Sequence, residues 1–114
     1  MKPRVYVAGK LNSDAVGYVR NCHLMITEAD KIRRAGYAVY VPCIDILMGM
    51  VMGDYQYNDY FDNSQPWLAA SDAIYVMPSW VDSEGTKREI SLANTMGIPV
   101  CFTIDELRNE LPIL

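Results

Sequence analysis

One histidine and three scattered cysteines are all that this chain of 114 residues offers as imidazole and thiol metal ligands. His23 has no second histidine or partnered acid in sequence reach, so a metal centre has no support and the residue reads as structural. Cys22, Cys43 and Cys101 are odd in number, widely spaced, and each in or beside an apolar segment. That pattern speaks against a disulfide framework and for buried free thiols. Basic residues are outnumbered, 10 Lys and Arg against 14 Asp and Glu, which leaves a net charge of −4 and a pI of about 4.8. A basic face that would embrace a polynucleotide backbone is therefore not expected. No apolar run has membrane-spanning length, and the short apolar stretch between Arg4 and Lys10 does not make a signal peptide. Internal repeats, low-complexity tracts and the spaced glycines of a dinucleotide fingerprint or P-loop are also missing. The expectation is a cytoplasmic protein with a small-molecule ligand, without metal, membrane or polymeric nucleic acid.

What is present is an alternation of two periods. A β-prone run over residues 4–8 ends at Gly9, and apolar residues Val16, Val19, Cys22, Ile26, Ala29 and Ile32 then recur at helical spacing until Gly36. Residues 37–43 read as a second strand, 72–77 as a third closed by Pro78, and 98–102 as a fourth. Helices are expected over 83–96, stopped by Gly97, and over 105–111. The middle is the least regular part: a short helix within 44–52, a mobile or partner-bound loop over 54–62, and a helix from about residue 64 to 70 with Pro66 in its first turn. This order predicts a single α/β domain over 1–114, three-layered and flavodoxin- or Rossmann-like. Its sheet of four to five mostly parallel strands would carry helices on both faces, with the second strand on one side of the first and the third on the other.

In such sheets ligands bind beyond the carboxyl ends of the strands, at the point where the strand order reverses. Two segments fall there: Gly9-Lys10-Leu11-Asn12-Ser13 after the first strand, and the run from Trp80 to Glu89 after the third. Backbone amides of the first loop, with Lys10, suit a phosphate or a sugar hydroxyl, although an ordinary strand-to-helix turn has the same composition. Ser83 is placed to cap the next helix, and Gly85 lets the backbone approach a bound group. Glu89 shares a helical face with Ala93 and Met96, at spacings of four and seven, which aims a carboxylate inward. Trp80 is either a stacking platform for a base or sugar or a loop anchor. The tyrosines and methionines of 48–60 suit a pocket lid or a subunit contact.

Tyr6-Val7-Ala8-Gly9, Asp72-Ala73-Ile74-Tyr75-Val76, Trp80, Ser83-x-Gly85-x-x-x-Glu89, Ala93 and Gly97-Ile98-Pro99-Val100 together resemble the nucleoside 2-deoxyribosyltransferase superfamily. The likeness is nearest to its short bacterial and phage members of the DUF4406 type. It implies an enzyme without cofactor, a glycosyltransferase or N-glycoside hydrolase in which Glu89 attacks C1′ of a nucleoside or nucleotide. The base leaves, and water or another base resolves the glycosyl-enzyme. Ser83 and Gly85 would then hold the 5′ end or its phosphate, and Tyr6 would contact base or sugar. The resemblance also implies a homodimer or higher homo-oligomer. One position departs from the pattern: Ser64 stands eight residues before Asp72, where the family carries an aspartate. Serine is no general acid at neutral pH, and Asp62 and Asp59 are the nearest substitutes in sequence. The alternative reading is a catalytically inactive nucleotide-binding sensor or regulatory module of the same fold, and a purely structural oligomer ranks last.

Overall fold

A computed structural model describes residues 1–113. Four strands, β1 (Arg4–Ala8), β2 (Ala38–Tyr40), β3 (Ala73–Val76) and β4 (Val100–Cys101), form one sheet in the order β2-β1-β3-β4. Every pairing is parallel. The α/β three-layer architecture read from the sequence is therefore the observed one, with four strands.

Strand alternation divides the core. Val5, Val7, Ala73, Tyr75 and Cys101 face one side, where they meet Met25, Ala29 and Ile32 of helix α1 (Ala15–Arg34). Leu107 of the terminal helix α5 (Ile104–Glu110) completes that layer. Tyr6, Ala8, Ile74 and Val76 face the other side. There they meet Leu68 of α3 (Tyr57–Ala69) and Ala93 of α4 (Glu84–Thr95). Strands buried on both faces read as continuous apolar runs, as β1 and β3 do.

Several local expectations need correction. The inward stripe of α1 runs through Met25, Ala29 and Ile32, whereas Val16, Val19 and Ile26 are exposed. β2 is three residues long, because Pro42 has no amide to donate and starts a 3-10 turn instead. A helix α2 (Asp45–Met52) follows and ends at Gly53, whose φ of 78° is the left-handed cap that glycine adopts without strain. Residues 57–62, expected as loop, are the first half of α3. The Asp59 side chain accepts from the amide of Gln56 at 2.7 Å, while the Asp59 amide donates to the Gln56 carbonyl at 3.0 Å, which closes the helix start. Pro66 consequently lies inside α3 rather than in its first turn. α3 and α4 are pinned together by Arg88, whose guanidinium sits 4.0 Å from the ring centre of Phe61 and 5.8 Å from that of Tyr57.

Candidate functional site

The strand order reverses between β1 and β3, and a cavity of about 570 Å³ opens beyond their carboxyl ends. That volume suits a nucleotide-sized ligand. The loop after β1 contributes Gly9, Lys10, Leu11 and Asn12, and the amino end of α4 contributes Ser83, Glu84, Gly85 and Thr86. Tyr57, Tyr60, Phe61 and Ser64 of α3 close one wall, and Tyr6 and Glu89 lie in the lining between them.

Each of these positions has a local cause. Ser83 caps α4 by accepting from the amide of Thr86 at 3.1 Å and from its hydroxyl at 2.8 Å, which leaves the serine's own proton for the cavity. The Lys10 amide donates to Ser79 at 3.0 Å, tying the loop after β1 to the turn after β3. Gly9 is buried against Met77, whose sulfur would lie 2.9 Å from an added Cβ, so any larger residue there would push the Met77 side chain aside. Glu89 is one turn into α4, one helical turn before buried Ala93, and its side chain points in over β1. Met96, expected on the same face, is exposed.

Tyr6 donates its hydroxyl to Oε2 of Glu89. Glu89 remains partly open to the cavity, yet protein surrounds it closely enough that burial pushes its carboxyl up to about 7, the Tyr6 hydrogen bond acting in the opposite sense. Tyr6 itself is driven well above the ordinary phenol range, first by burial and then by the Glu89 charge, so it stays a donor. Ser64, buried on α3, sets its hydroxyl beside the same phenol and partly opposes that rise. The serine that replaces an expected aspartate thus lines the cavity near Tyr6, and its hydroxyl donates to the Phe61 carbonyl at 3.3 Å.

Two expected site residues lie elsewhere. Trp80 packs on the core of the α3/α4 face and against Phe102, ring centres 6.0 Å apart, and is outside the cavity lining. The 3-10 turn over residues 78–82 rotates it there, which makes it the loop anchor. Asp62 is exposed on α3 outside the lining, and Asp59 is spent on the helix cap. Neither stands in for the absent acid.

The sequence reading missed the far end of the crevice. Pro42 and Asp45, beyond β2, line it, and so does Tyr18 of α1. Tyr40 pairs in register with Tyr6, the rings stack at 5.5 Å, and its hydroxyl reaches both carboxyl oxygens of Asp45, at 3.2 and 3.3 Å. The available signal was positional: an acid five residues beyond the end of the strand that neighbours β1.

His23 is exposed on α1, and no group of His, Cys, Asp or Glu among the described residues has the arrangement of a metal site. Cys43 and Cys101 are buried and Cys22 half-buried, all three free, and burial pushes Cys43 up to about 12. No helix among the described residues is long and apolar enough to cross a membrane.

The family model described as "Domain of unknown function (DUF4406)" matches residues 3–102. The chain belongs to the DUF4406 family. The match covers all four strands and therefore the whole cavity of this DUF4406 domain, from Tyr6 to Glu89. Comparison with curated proteins found no match.

Proposed function

We propose that this DUF4406 protein cleaves or transfers the N-glycosidic bond of a nucleoside or nucleoside monophosphate, in the manner of the nucleoside 2-deoxyribosyltransferases it resembles. The observation that carries the reading is the Tyr6–Glu89 hydrogen bond in the lining of a nucleotide-sized crevice. Tyr6 holds one carboxylate oxygen and leaves the other free to form a bond to C1′. The electron pair of the C1′–N bond departs with the base, which takes its proton from water. Water or a second base then attacks C1′ and releases Glu89 as carboxylate. The Ser83 hydroxyl and the amides at the start of α4 suit the 5′ end or its phosphate, with Lys10 adding charge. The test is chromatography of free base after incubation with common nucleosides and their monophosphates. Release by the parent protein and none by Glu89→Gln supports the reading, and equal release by both defeats it.

A second reading, the nucleotide-binding module without turnover, is favoured by one observation: Ser64 replaces the expected acid, and Asp59 and Asp62 lie outside the cavity. It predicts ligand-induced thermal stabilisation with no base release. Self-association is part of both proposals, because α2 turns Leu47, Met50, Val51 and Met52 outward and an apolar patch of this kind marks a contact surface. Light scattering that gives a monomer mass across the micromolar range would remove that component.

A further inference from the structure

The strand order β2-β1-β3 sets three chemistries in a row along the crevice. The amino end of α4 lies beyond β3, Glu89 lies over β1, and Asp45 lies beyond β2. Asp45 is only 6% exposed. Tyr40 supplies its side-chain hydrogen bond, and among the described residues no Lys, Arg or His forms an ion pair with it. A carboxylate offers about four acceptor positions, and one hydroxyl proton cannot fill them. Tyr18 and Tyr60 line the same end, close enough that burial, with smaller contributions from Tyr60 and Asp45, pushes the Tyr18 phenol up to about 12. A buried acceptor beside two aromatic rings is a recognition surface for a flat group that carries N–H donors.

We infer that Asp45 is the base-reading residue of this crevice, accepting a hydrogen bond from the exocyclic amino group of a nucleobase held against Tyr18 and Tyr60. It thereby selects amino-bearing bases over their oxo counterparts. The inference rests on the proposal that the ligand is a nucleoside or nucleotide, and it adds which base. An adenine or cytosine amino group donates to the carboxylate, whereas the carbonyl of hypoxanthine or uracil at the same place sets lone pair against lone pair. Tyr40 is a positioning residue: stacked between Tyr6 and Trp67, at 5.5 and 5.7 Å, it fixes the carboxylate from the sheet side.

The experiment is calorimetric binding of AMP against IMP and CMP against UMP, in ribo and 2′-deoxy forms, to the Glu89→Gln protein, which does not consume them. The amino member of each pair binds roughly tenfold or more tightly, the usual discrimination of one well-placed base contact. Adding Asp45→Asn, whose amide also donates, narrows or reverses the preference, and adding Asp45→Ala abolishes it. Tyr40→Phe, which keeps the stacked ring, weakens the preference without reversing it and serves if the Asp45 variants do not fold. Equal affinities within each pair, or no binding at all, overturn the inference. Base release by the unmutated protein is scored separately. Selective binding without release removes the enzymatic reading and leaves the role of Asp45, while release without discrimination does the reverse.

Discussion

Tyr6 and Tyr40 are register partners on adjacent strands, and each stacked ring sends its hydroxyl to a different carboxyl group, Tyr6 to Glu89 and Tyr40 to Asp45. Parallel register places both on one face of the sheet, so two acids remote in sequence are anchored to neighbouring points of one cavity wall. Fixed acceptors of this kind are what a site needs to hold geometry without reorganising when a ligand arrives.

Removing the Glu89 charge stabilises the fold at high pH. Burial lifts this carboxyl from 4.5 to about 7, so the native protein retains a proton that the unfolded chain loses over that interval. Stability associated with it is fully present below 4.5 and is lost as pH rises through about 7. Glu89→Gln should raise Tm by several degrees at pH 8, for a penalty of at most about 3 kcal/mol, and change it little at pH 5. Scanning calorimetry at the two pH values checks this, and the same increment at both contradicts it.

If Glu89 is the nucleophile, base release rises with pH through a midpoint near 7 and levels off above it, because only the carboxylate attacks. Tyr6→Phe deletes the hydrogen bond that opposes the upward shift. The midpoint should then move higher by about 1 pH unit and the plateau should fall by about tenfold, as expected for a hydrogen bond to a charged group. The profile of kcat/KM against pH reads both effects, and an unmoved midpoint would show that the phenol does not govern this acid.

Gly49 faces Tyr60 so closely that an added Cβ would lie 1.9 Å from the tyrosine hydroxyl. Gly49→Ala must displace that ring from the cavity wall. Affinity for a nucleoside monophosphate should fall about tenfold or more if Tyr60 carries a stacking contact. Titration calorimetry measures the loss, with circular dichroism to show that α2 persists.

Arg88 bridges α4 to Phe61 and Tyr57 of α3. Arg88→Ala should cost about 1 kcal/mol from the lost cation–aromatic contacts and loosen the cavity wall. Urea denaturation gives the first effect. Faster amide exchange confined to residues 57–61 gives the second.

Period alone fixed much of this molecule. Helix against strand was legible over α1, α4 and α5, and the Ser83 cap was legible because side-chain capping is local chemistry. The middle misled for a physical reason. The apolar residues of 44–52 mostly face outward, and the cap of α3 is a Gln56–Asp59 pair rather than a conspicuous serine or threonine, so neither period nor punctuation revealed the helix running from Tyr57.

The amino-acid order by itself determined the alternating architecture and an inward Glu89, since each follows from spacing within one element and its neighbours, whereas the reversal point between β1 and β3 followed from the usual strand order of such folds. Only the tertiary structure decided which other side chains share the crevice. It turned Trp80 and Asp62 away and brought Ser64 and Asp45 in, with Tyr40 holding Asp45 from behind the lining. For Trp80, Asp62 and Ser64 the outcome depends on the rotation of α3 and of the turn after β3 against the sheet, and for Asp45 on the turn between β2 and α2; these are set by packing across the sheet, which no local pattern encodes.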